Sequence, residues 1–210
     1  MPGSVASLYA FKGAYKGVLK VSVLLAATYG IIYALTALLP AADYRSLPVA
    51  GNRVAIWLAA QLHLMFAAFV LGVPIFALIT EIVGVATKER RYDELAREFT
   101  KLLAMAYTMT AALGAVLLVL IVVLYPKLTL YFGKLFKPIW TLYVVLIFGE
   151  VVVAYLYWYT WDWLQGRLKR WHLLLGALVN LLGTALLFVA DIWVTFMMSP
   201  AGIDEAGSLT

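Results

Sequence analysis

Residues 53–81 read RVAIWLAAQLHLMFAAFVLGVPIFALITE, in which Arg53 and Glu81 bracket 27 consecutive residues without a formal charge. A hydrocarbon core about 30 Å thick is crossed by about 20 helical residues rising 1.5 Å each, so this run predicts one membrane-crossing helix. Four more such runs lie on either side of it. Residues 21–39 run from Lys20 to Pro40, and residues 102–126 from Lys101 to Lys127. Residues 138–161 are interrupted only by Glu150, and residues 173–198 only by Asp191. The pattern predicts an all-α fold, a polytopic membrane helix bundle with five transmembrane helices.

Composition supports this reading: of 210 residues, 65% are hydrophobic and 13% charged, where soluble domains carry about 25% charged residues. An enzyme with its active site in water is excluded. The absence of cysteine removes disulfide scaffolds, thiolate metal sites and c-type haem attachment. Lys12, Lys16 and Lys20 precede the first run as in a signal peptide, but its 19 residues exceed the usual apolar region of about 7–15, so a retained helix is expected. The net charge of +5 reads as topology, not as a nucleic-acid partner. Eleven Lys and Arg fall on one side, in the N-terminal segment, the stretch 88–101 and the stretch 167–170; five fall on the other. The positive-inside rule then places the N-terminus inside and the C-terminus outside, in the cytoplasmic membrane of the cell. Trp158, Trp161, Trp163 and Trp171 read as an interfacial belt on the inner side, with His172 beside it, and KERRYDELAREFTK (88–101) as a solvated amphipathic connector.

Ionisable groups inside a span are costly and face protein, water or a cofactor. Three occur here. His63 lies ten residues in from Arg53, about 15 Å at helical rise, with Ala59, Ala60, Phe66 and Ala67 on its face. Small residues there leave room for a flat ligand, and a neutral imidazole can coordinate haem iron; bonding to a neighbouring helix is the plainer alternative. Glu150, near mid-membrane with Tyr143, Ile147, Ala154 and Tyr157 along its face, can serve in a proton relay or bond a partner helix. Asp191 falls on a stripe with Asn180, Thr184, Thr195 and Met198, which suits contact with another subunit. Pro74 after Gly72 predicts a kink in the second span without a functional role.

At these residues the chain resembles subunit I of the cytochrome bd quinol oxidases. Arg53, His63, Gly72 and Glu81 match the spacing of that family's first helix, where the histidine ligates a haem. GEVVVAYLYWYTWD (149–162) resembles its segment in which a membrane glutamate precedes a Trp-Asp pair, here Glu150, Trp161 and Asp162. WHLLLGALVNLLGTALLFVADIWVTFMMSPAG (171–202) resembles the next helix, with His172, the ADIW of 190–193 and the closing Pro200 and Gly202. The resemblance implies that His63 is the axial ligand of a b- or d-type haem, and so the metal ligand to its iron. It also implies that Glu150 belongs to a proton path and that Arg53 is a structural or propionate-neutralising group, while Asp191, in the place of a family asparagine, is a further candidate catalytic residue. A second membrane glutamate of the family is replaced by Leu142, and the matched region stops before the family's low-spin haem ligands and quinol loop.

The expected organisation is an extra helix within residues 1–52, a four-helix subunit I-like domain over 53–202 and a polar tail at 203–210. The expected function is a membrane subunit of a respiratory oxidoreductase, incomplete as an enzyme alone. It would hold or share a haem, assist electron and proton transfer, and work with other membrane subunits and with quinol reached through one of them. A haem-free anchor and assembly subunit is the structural alternative, and a small transporter or proton channel the third.

Overall fold

The computed structural model describes residues 3–39, 42–199 and 201–202, so Pro40, Pro200 and the tail 203–210 lie outside the described residues. Six α-helices account for most of them: α1 (Gly3–Leu38), α2 (Asn52–Thr87), α3 (Arg90–Leu124), α4 (Pro126–Leu135), α5 (Lys137–Tyr159) and α6 (Lys169–Met198), the last preceded by a single 3₁₀ turn at Gly166–Leu168. All but α4 are long and apolar enough to cross a membrane. Phe69, Val144, Leu181 and Phe188 are each more than half exposed, which suits an outer surface solvated by lipid and not by water.

Local chemistry sets the breaks between helices. Lys88, in the left-handed region at φ 59°, ends α2, and α3 starts two residues later. This close turn makes α2 and α3 an antiparallel hairpin, the most extensively packed pair in the molecule. Pro126 has no N–H to continue the hydrogen-bond ladder of α3 and instead opens α4, where a proline is tolerated in the first turn. A second proline, Pro138, starts α5 in the same way.

The five long helices close into a ring in the order α1, α3, α2, α6, α5, with α3 also touching α5 across the middle. The best buried part, with Ala96, Leu103, Tyr157, Trp161 and Val179 at 2% exposure or less, lies toward the end of the bundle where α5 passes into α6.

Four features differ from the expectation read from charge and hydropathy. The first span is the C-terminal part of a 36-residue helix, so Lys12, Lys16 and Lys20 ride on its exposed faces. The stretch 90–101 is not a connector but the first three turns of α3, with Ala96 and Thr100 buried against the bundle. Charge lowered its hydropathy, while its helical period was preserved by packing. The short helix α4 was not expected at all, since ten residues with no buried side chain leave no apolar run to detect. Finally, His172, expected beside the tryptophan belt, does not face outward: its side chain is wholly buried within the bundle.

Candidate functional site

Glu150 projects from the middle of α5 and is 2% exposed. Its approach to α6 depends on Gly183, where a β-carbon would lie 2.7 Å from Glu150 Oε1. The carboxyl forms part of the wall of a cavity of about 80 Å³ between α2, α5 and α6, with Val70, Pro74, Val179, Asn180 and Gly183 also lining it. Glu150 Oε1 and Asn180 Oδ1 are both buried without a hydrogen-bond partner, as is the hydroxyl of Tyr107 on α3. Tyr107 and Tyr143 share the electrostatic surroundings of Glu150. Among the described residues no cation pairs with this acid.

His63 sits on α2, seven residues before Val70 or about 10 Å along the helix. Its Nδ1 lies 3.0 Å from the backbone carbonyl of Thr110 on α3. A carbonyl only accepts, so Nδ1 carries the proton and Nε2 keeps its lone pair. The ring fits because residue 114 is glycine: a β-carbon there would be 2.9 Å from His63 Cε1. Nε2 has no partner among the described residues, and the hydroxyl of Thr110 is buried and unpartnered. An oriented imidazole with one free nitrogen fits an axial haem ligand, whose other nitrogen is characteristically fixed by a carbonyl or carboxylate. The described residues contain no group of three or more His, Cys, Asp or Glu that could hold a metal ion by themselves.

Arg53 and Asp191 are not brought to either place. Arg53 is exposed at the start of α2, where it borders an open cavity of about 440 Å³ together with Tyr44, Ser46, Asn52 and Tyr125. Asp191 is exposed on the outside of α6. Of its expected stripe, Asn180 alone turns inward, while Thr184, Thr195 and Met198 share its outward exposure.

At the α5–α6 end the structure assembles a buried polar cluster that hydropathy does not reveal. Glu81 and His172 are each 0% exposed, and Glu81 Oε1 meets His172 Nδ1 at 2.5 Å. The Tyr157 hydroxyl donates to Glu81 Oε2 at 2.6 Å, and Lys169 Nζ reaches Glu81 at 2.7 Å. Lys169 also pairs with Asp93, which accepts from Trp161 Nε1 at 3.3 Å. His172 Nε2 donates to the Tyr157 carbonyl at 2.8 Å. That carbonyl cannot donate, so His172 and Glu81 hold one proton between them across the remaining contact. The cluster balances two acids against Lys169 and this shared proton, satisfying the condition for keeping charges out of water. Asp93 and Lys169, 76 residues apart, read in the sequence as ordinary solvated charges, and no local pattern connects them.

These positions can be set beside known proteins. No curated protein and no solved structure matches the chain. A family model does: residues 52–208 match cytochrome bd terminal oxidase subunit I. The match begins at the N-terminus of α2 and takes in His63, Glu81, Glu150 and His172, leaving α1 outside it. With five apolar helices long enough to cross a bilayer, the chain is a multi-pass integral membrane protein, and it belongs to the cytochrome bd terminal oxidase subunit I family.

Proposed function

We propose that the chain is the subunit of a multi-subunit respiratory oxidase that supplies one axial haem ligand, His63, and one membrane proton carrier, Glu150. The observation that carries the haem reading is the fixed tautomer of His63, held at Nδ1 by the Thr110 carbonyl with Nε2 unengaged. Bound there, a haem would supply the redox centre. What the chain itself contributes is orientation: Gly114 admits the ring and the Thr110 carbonyl fixes it. His63 is only partly buried, which suits a group shared with a neighbouring chain. Exposed Arg53 is the available cation for a propionate at the outer end.

The proton reading rests on Glu150, a buried acid with an unpartnered oxygen beside a cavity. Asp191, outward on α6, is assigned to contact with a partner subunit more readily than to proton transfer. The orientation that suits these roles has the N-terminus and the Glu81 end inside the cell, with His63 in the outer half of the membrane. The experiment is His63→Ala in the complex purified from its native membrane. Loss of a haem absorbance band at unchanged subunit composition supports the assignment; an unaltered spectrum overturns it. Retained assembly with no haem even in the native complex would instead favour a purely anchoring role.

A further inference from the structure

The cavity beside Glu150 has a wall whose acceptors outnumber the donors free to meet them. Glu150 Oε1 and Asn180 Oδ1 are buried there without partners. Both hydrogens of the Asn180 amide nitrogen are already committed, one to the Pro74 carbonyl at 3.1 Å and one to the Gly176 carbonyl at 2.8 Å. Pro74, inside α2, has no N–H to return to the carbonyl of Val70, and both residues line the same cavity. Thr184 provides a hydroxyl at the rim. A buried acceptor without a donor is costly, and two such groups around one space call for an occupant that donates.

Size selects that occupant. Water needs two to four polar partners and about 10–15 Å³ of space open to its centre, so a cavity of about 80 Å³ admits it. A dry cavity would be lined by apolar groups alone.

We propose that this cavity is a resident hydration site in which Asn180 is a positioning residue, holding water against the Glu150 carboxyl. Pro74 thereby gains a role: its missing N–H and its carbonyl, which orients the Asn180 amide, build one side of the site. Gly183 builds another by leaving space beside Oε1. The hydration stands on these contacts. Its consequence, that water delivers protons to and from Glu150, rests on the relay reading above.

The test is redox-induced infrared difference spectroscopy on the intact complex, with the Glu150 carboxyl band identified by its loss in Glu150→Gln. In Asn180→Leu the band moves to the frequency of a drier carboxyl, and its exchange in D₂O slows at least about tenfold, the scale of losing one well-placed proton-transfer partner. Gly183→Ala, which fills the space beside Oε1 from the same face of α6, does the same and serves if Asn180→Leu fails to assemble. Native-like band position and exchange in both variants overturn the proposal. So does a band that shifts when sodium is replaced by a large organic cation, which would identify a metal ion as the occupant. If Glu150→Gln leaves proton uptake by the complex unchanged while Asn180→Leu still moves the band, the relay reading fails and the hydration site stands.

Discussion

At the scale of single residues, the amount of water around a group decides how much its contacts are worth. Glu81 and His172 are fully buried, so removing one partner strands the other. His172→Ala is expected to destabilise the subunit by about 3 kcal/mol, the low end for a broken buried pair because Lys169 and Tyr157 still hold Glu81. The loss is read as a lowered unfolding midpoint of the complex. The Arg97–Asp162 pair, at 2.5 Å but with side chains 40% and 70% exposed, is expected to behave differently: Asp162→Asn costs less than about 1 kcal/mol, and added salt reduces even that. Gly114→Ala addresses His63 without touching its chemistry. The added methyl would stand 2.9 Å from the ring and turn it from the Thr110 carbonyl, so under the proposed ligation haem affinity falls about tenfold, as when the group orienting a metal ligand is lost. Absorbance titration of the haem-depleted complex with haem measures it. His63 and Glu150 were legible in the sequence because polar groups stand out in apolar runs. Asn180 was legible only as one member of a stripe suited to contact with another subunit, and nothing but the packing of α6 on Pro74 shows that it faces the inside of this chain.

At the scale of elements, helix ends were harder to read than helix centres. Hydropathy registers what lipid touches, whereas α2 and α3, at 36 and 35 residues, are about 54 Å long and exceed a 30 Å hydrocarbon core by about 20 Å. The polar extension of α3 is held by burial of Ala96 and Thr100, which charge counting along the chain does not register. Helix α1, outside the family match, attaches through close contacts with α5: β-carbons at Gly13 and Gly17 would lie 2.3 Å from the Tyr159 ring and 2.4 Å from the Tyr155 ring. Small residues four apart admit such approach between membrane helices. Gly13→Leu with Gly17→Leu is therefore expected to detach α1 while the α2–α6 assembly persists. Because the chain has no cysteine, a single introduced pair across α1 and α5 reports this directly: it cross-links in the native background and fails to in the double variant.

At the scale of the whole molecule, the asymmetry of Lys and Arg predicts a sidedness that labelling can check. Single cysteines placed at Ser46 and Ser199 should react with an impermeant reagent from outside intact cells, and one at Gln165 only after lysis; the reverse pattern would invert the assigned topology. Sequence by itself determined that the chain crosses a membrane through long apolar helices, because the hydrocarbon core demands such runs and excludes most charges. It also singled out His63 and Glu150, since an ionisable group in lipid is too costly to be incidental. Only the tertiary structure decided what surrounds them. The ring order of helices brings α6 against α2 and so creates the Glu150–Asn180 cavity, and it joins Glu81, Asp93, Lys169 and His172 from three helices into one balanced cluster. The physical reason is range: hydropathy and helical period are local properties of a segment, whereas pairing of buried polar groups depends on which helices become neighbours, and that is settled by packing among them.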